Sequence, residues 1–116
     1  MATITLENMK FHAYHGCLQH EKTFGNTFLI TIEMHLNTDV PEITDDLSDT
    51  LNYQLVYDAI KNEMEQPSEL LEHIARRIVN RIHSDFPQIT GGLLSISKTN
   101  PPLGGSISAV RIQCAL

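Results

Sequence analysis

Phe28-Leu29-Ile30-Thr31-Ile32-Glu33-Met34-His35-Leu36 is the stretch that decides the fold. Phe28, Ile30, Ile32, Met34 and Leu36 alternate with Leu29, Thr31, Glu33 and His35, the period-2 pattern of a half-buried strand. The run stops near Asn37, ahead of a loop that holds Pro41 and the acidic pair Asp45-Asp46. Upstream, residues 2–13 read as a strand with mixed faces ending in Tyr14-His15-Gly16, and the polar stretch between Gly16 and Gly25 fits neither period and reads as a loop.

Downstream the period changes. Asp49 or Thr50 is a good N-cap for a helix with apolar positions Leu51, Leu55, Val56, Ala59 and Ile60. Pro67-Ser68 ends it and opens a second helix, with Ser68 as cap and Leu70, Leu71, Ile74, Ala75, Ile78, Val79 and Ile82 as the buried stripe. Pro87 and Gly91-Gly92 return the chain to extended structure. A third strand carries Leu94, Ile96 and Lys98 on one face, with Leu93, Ser95 and Ser97 on the other. A fourth runs from about Ile107 to Leu116. The order is ββααββ, which predicts an α+β fold: a four-stranded antiparallel sheet with two helices on one face. Such a layer leaves one face and both edges short of cover, so a homo-oligomer is expected.

With 116 residues, a single domain covering 1–116 is expected. A net charge of -6, and no basic cluster longer than Arg76-Arg77, argue against nucleic acid as a partner. No signal peptide or membrane-length apolar run is present in the sequence, and Cys17 and Cys114 have no paired spacing, so free thiols in a reducing cytoplasm are expected. The six histidines form neither His-x-His nor His-Glu-x-x-His, so no metal site is expected.

Some residues nevertheless invite chemistry. Lys98 ends the third strand, and the prolines in Lys98-Thr99-Asn100-Pro101-Pro102 force the backbone out of the sheet. Read alone, Lys98 is either a gatekeeper charge or a lysine with a tunable proton. Glu72, early in the second helix, is either a dipole complement or a bidentate acceptor for a flat edge with adjacent N–H donors, as in purines and pterins. Glu21 is a solvated loop carboxylate or a site residue, Tyr53 a core-edge tyrosine or a ligand contact. His73 buttresses that site or lies at the surface.

Together, Tyr14-His15-Gly16 with Glu21, then Asp49-Thr50-Leu51-Asn52-Tyr53, then Leu70-Leu71-Glu72-His73, then Lys98-Thr99-Asn100-Pro101-Pro102 resemble the dihydroneopterin aldolase family of folate biosynthesis, in order and over nearly the whole chain. The resemblance implies the tunnelling fold (T-fold), rings of four subunits that commonly stack into an octamer, and active sites at subunit interfaces. It implies Lys98 as the catalytic lysine, Glu21 as the loop carboxylate and Glu72 as the pterin anchor. Leu71 becomes a backbone contact to the pterin, and Tyr53, with Thr50 and Leu51 beside it, is contributed by a neighbouring subunit. The implied reaction is retro-aldol cleavage of a dihydropterin with a trihydroxypropyl chain, releasing glycolaldehyde and a hydroxymethyl-dihydropterin. The substrate's ring imine accepts the released electrons, so no cofactor, metal or Schiff base is implied. Side epimerisation to dihydromonapterin is expected. The alternatives are a dihydroneopterin triphosphate epimerase, which needs basic residues for its triphosphate, a zinc-dependent pyruvoyl-tetrahydropterin synthase relative, which needs three histidine ligands, and a non-catalytic pterin or purine binder, which needs no Lys98.

Overall fold

The computed structural model describes residues 1–116. Strands β1 (Ala2–Ala13), β2 (Asn26–Leu36), β3 (Gly91–Thr99) and β4 (Ala109–Ala115) form one antiparallel sheet in the order β1-β2-β3-β4. The alternating stretch is β2, the strand paired on both sides: Phe28, Ile30, Ile32 and Met34 are all 0% exposed. Helices α3 (Tyr53–Met64) and α4 (Leu71–Asp85) cover that face with Val56, Ala59, Ile60 and Met64 and with Ile74, Ala75, Ile78, Val79 and Ile82. Each fully buried aliphatic side chain contributes about 1.5–3 kcal/mol, so this one face carries most of the hydrophobic stabilisation. The opposite face, with Thr31, Glu33, Ser95, Ser97, Arg111 and Gln113 around a shallow concavity, has no cover within the chain.

The mixed faces of β1 have a local cause. Its register against β2 shifts between Leu6 and Met9, where Glu7 and Asn8 form a bulge. Asn8 has φ 51° and its N–H reaches the Thr31 hydroxyl at 2.9 Å. Arg77 joins the two long helices, because its guanidinium donates to the carbonyls of Glu63 (3.0 Å), in the last turn of α3, and of Gln66 (2.6 Å), just past it.

Several expectations need correction. The stretch between Gly16 and Gly25 contains a short helix, α1 (Gln19–Phe24), and the Pro41 loop contains another, α2 (Asp39–Thr44). Six residues are too few for a periodic signal to emerge. The N-cap of α3 is Asn52, whose Oδ1 accepts the Gln54 N–H at 3.1 Å, not Asp49 or Thr50. Asn caps as well as Asp does, and Asp49 is occupied in a 3-10 turn, where it accepts from the Thr44 hydroxyl. Leu51 therefore precedes the helix, tucked into the core at 1% exposure. Ser68 does not cap α4; Leu70 holds that position without a side-chain bond. Leu55 and Leu70, placed in the buried stripes, lie exposed, and β4 starts at Ala109 rather than near Ile107.

Gly92 is the tightest backbone approach in the sheet. At φ +147°, a Cβ there would lie 1.9 Å from the Glu33 carbonyl oxygen, whereas the nearest atom at neighbouring Gly91 is 3.8 Å away. Gly92→Ala should therefore lose about 3 kcal/mol or more in urea denaturation, and Gly91→Ala much less.

Candidate active site

β3 carries Leu94 and Ile96, both 0% exposed, and then on the same face Lys98. A cation on an apolar face has to be compensated or it destabilises the fold. The compensation comes from Glu21 of α1, whose Oε2 lies 2.7 Å from Lys98 Nζ; the two side chains are only 15% and 5% exposed. Lys98 cannot wander, because the end of β3 is pinned to β2. Asn26 donates to the Thr99 carbonyl at 2.7 Å, and the Thr99 hydroxyl donates to the Thr27 carbonyl at 2.9 Å. Asn100 then turns the chain at φ 47° into buried Pro101.

Glu21 is equally fixed. It occupies the third position of α1, and its Oε1 accepts the Leu18 N–H at 3.3 Å, one half of a capping box. Its carboxyl group packs on Gly16, where a Cβ would come within 2.5 Å of it at φ +150°. Burial pushes the Glu21 carboxyl up. The hydrogen bonds from Lys98 and from the Leu18 N–H, and the charges of Lys98 and His20, outweigh burial and hold it below the usual carboxylate range. The pair is thus ionised at rest. Removing either partner of such a buried pair costs about 3–5 kcal/mol, because the other is left uncompensated.

Beside it lies His15, 1% exposed and packed edge-on against Phe28 with ring centroids 5.3 Å apart. Its Nδ1 accepts the Ser68 N–H at 2.9 Å, which puts the ring hydrogen on the buried Nε2. Burial, then the charges of Arg77 and Lys98, lower its pKa from 6.5 to about 4, against the Met64 carbonyl, which favours the charged form. The Gly16 N–H in turn donates to the Ser68 carbonyl at 2.9 Å, and the Ser68 hydroxyl meets His73 Nδ1 at 2.8 Å. A cleft of about 310 Å³ opens here between Tyr14, Gly16 and Lys22 on one side and Pro67, Ser68 and Glu69 on the other. An exposed Lys22–Glu69 ion pair at 3.1 Å crosses it.

Of the residues singled out in the sequence, the fold brings Lys98 and Glu21 into direct contact. Glu72 sits exposed in the first turn of α4, with half-buried Leu71 before it. No side chain caps this helix, so N–H groups of its first turn remain open to an outside acceptor. His73 is exposed and held by Ser68. Tyr53, 58% exposed, stands at the far end of α3 from Met64 and so about 16 Å from the His15 end. Thr50 and Leu51 lie with it. Within one chain none of these three hydrogen-bonds Lys98, whose ammonium is paired with Glu21. In the sequence, His15 and Gly16 figure only as part of the Tyr14-His15-Gly16 turn and Ser68 only as a helix cap, since a serine fifty residues away carries no mark of its partner.

The arrangement offers a buried, ionised lysine–carboxylate pair able to hand protons over, next to a helix start that presents a carboxylate and free N–H groups. The sequence model described as dihydroneopterin aldolase (FolB) matches residues 4–115. A Streptococcus pyogenes dihydroneopterin aldolase is 33% identical over 114 residues, covering 97% of this chain and 96% of its own. The fold is shared with an E. coli dihydroneopterin aldolase solved with neopterin, at TM-score 0.90 and 18% identity over 100% of this chain and 99% of that one. A Burkholderia dihydroneopterin aldolase bound to guanine superposes with TM-score 0.78 and 14% identity, over 99% and 89% of the two chains. The four-stranded sheet with its helices is the tunnelling fold of these structures.

The neutral state of His15 carries a pH dependence. Its folded pKa is depressed, so its contribution to stability is complete above 6.5 and is lost as pH falls toward about 4. The loss should amount to about 3 kcal/mol across that window. His15→Gln, which can still accept the Ser68 N–H but does not titrate, should flatten most of that slope in urea denaturation measured from pH 6.5 to about 4.

Proposed function

Because the chain belongs to the dihydroneopterin aldolase family, lyases of folate biosynthesis, we propose that the Lys98–Glu21 pair is the proton-transfer centre of a retro-aldol cleavage of dihydroneopterin. The buried ion pair carries this reading: a lysine 15% exposed beside a carboxylate 5% exposed has no use as surface charge. Loss of a proton from the second side-chain hydroxyl lets the bond between the first and second side-chain carbons break. The bonding pair passes into the ring imine, whose nitrogen takes up a proton, and glycolaldehyde departs. Protonation at the first side-chain carbon, with return of the ring nitrogen's proton, gives the hydroxymethyl-dihydropterin. Net, one proton moves from oxygen to carbon.

Lys98 starts as an ammonium held by Glu21. In this reading it first gives a proton to the ring nitrogen and then, through a water oriented by Glu21, takes the hydroxyl proton, so the pair ends in its resting charge. The ring imine is the electron sink, so the chemistry asks for neither a metal nor a lysine Schiff base. Glu72 anchors the amino-pyrimidinone edge of the pterin, an edge that guanine shares, and the Leu71 backbone adds a contact from the open helix start. Leu51 is buried, so only its backbone can reach a ligand. Tyr53, with Thr50 and Leu51 beside it, completes the site from a second copy, gives a proton to the first side-chain carbon of the enol-like intermediate and recovers one from the ring nitrogen. The unpaired outer edges of β1 and β4 suit a ring of four, and two rings an octamer. A cytoplasmic location belongs to the same reading.

Re-addition of glycolaldehyde to the opposite face would give dihydromonapterin as a side product. Dihydroneopterin triphosphate is a poorer substrate, since Lys22 at the cleft is already paired with Glu69, and Lys98 with Glu21. A pure binder would not need to bury an ion pair.

Lys98→Ala should abolish glycolaldehyde release while leaving pterin binding measurable by calorimetry; retained turnover removes Lys98 from the reaction. Glu72→Ala should weaken the hydroxymethyl-dihydropterin product by about 2–3 kcal/mol, roughly 30- to 150-fold in Kd. An unchanged product affinity would mean the anchor lies elsewhere.

A further inference from the structure

We propose that His15 is a positioning residue for this site: through Ser68 it clasps the turn that carries Glu21 to the start of the helix that carries Glu72. The inference rests on the aldolase reading above. Two hydrogen bonds form the clasp, Ser68 N–H to His15 Nδ1 and Gly16 N–H to the Ser68 carbonyl, both 2.9 Å. They run in opposite directions between the same two turns, which removes the hinge freedom a single bond would leave.

On one side of the clasp, the Glu21 carboxyl rests directly on Gly16, with no room for any side chain, and reaches Lys98 at 2.7 Å. On the other side, Ser68 precedes α4 and its hydroxyl holds His73, the neighbour of Glu72. The turn under the Glu21–Lys98 pair and the start of the helix that bears Glu72 therefore touch through Ser68, and their separation is set there. A misplacement of about 1 Å at such a junction can cost on the order of 100-fold in rate. An imidazole suits the place because neutral Nδ1 is an acceptor rigidly aimed by the ring, which Phe28 packs edge-on at 5.3 Å. Ser68 is 7% exposed, so its N–H would have no water to turn to if the acceptor were lost.

The test compares His15→Phe, which keeps an aromatic ring against Phe28 but no acceptor, with His15→Gln, which restores an acceptor without the ring. Steady-state kinetics with dihydroneopterin are read beside calorimetric binding of the hydroxymethyl-dihydropterin product. In His15→Phe, kcat should fall about 10- to 100-fold while product affinity stays within about twofold, since the anchor on α4 is intact. His15→Gln should recover most of kcat. The inference is overturned if His15→Phe keeps wild-type kcat, if kcat and product binding fall together with the folded fraction, or if Gln does no better than Phe. Wild type and Lys98→Ala in the same assay separate the two claims: an inactive wild type or an active Lys98→Ala sinks the aldolase reading itself. A wild-type kcat in His15→Phe beside a dead Lys98→Ala sinks only the clasp.

Discussion

A lysine placed on the wrong face of a strand is the constraint from which the active end of this molecule follows. The face of β3 that buries Leu94 and Ile96 ends in Lys98, and the resulting ammonium needs a carboxylate at hydrogen-bond distance. Supplying Glu21 at that point requires a helical turn in the chain after Gly16, a glycine where the carboxyl lands, and a strand end that does not fray. Each of these is visible. The local rule broken here is a charge on the core face, and it is broken where a fold trades stability for chemistry.

The pair also shows how magnitudes decide the protonation state. Burial pushes the Glu21 carboxyl up, yet the hydrogen bonds from Lys98 and Leu18 and the charges of Lys98 and His20 win and hold it below the usual carboxylate range. At His15, a few residues away, there is no counter-charge, only Arg77 and Lys98, so burial wins and the ring stays neutral. Two neighbouring titratable groups are thus driven to opposite charge states by whether a partner of opposite sign is present.

Long periodic elements were legible in the sequence. β2, the two long helices, the ββααββ order and the exit of the chain after Lys98 all follow from period and proline, because each rests on many residues agreeing. Short elements were not, since α1 and α2 are decided by single contacts such as Glu21 with Leu18. Caps were misplaced by a few residues where several good capping side chains compete, as with Asp49, Thr50 and Asn52. Lys98, Glu21 and Glu72 were singled out as charges in informative places, but the pairing of the first two spans 77 positions and only the fold reveals it. His15 and Ser68 were missed for the same reason: a buried histidine and a buried serine look ordinary until each is seen to be the other's partner.

The bulge at Glu7 and Asn8 looks like a detail of an edge strand, yet it sets the parity of everything that follows in β1. Before it, even-numbered residues such as Ile4 and Leu6 face the helices; after it, odd-numbered Met9, Phe11 and Ala13 do. The same count carried two residues past the strand turns Tyr14 outward and His15 inward. One inserted residue thus works as a frame-setter: the inward aim of the His15 ring is decided some seven positions upstream, by an asparagine in a left-handed turn. Without that residue, and with the first half of the strand kept in register, tyrosine would face the interior and histidine the water, with every side chain of the motif intact and its geometry inverted.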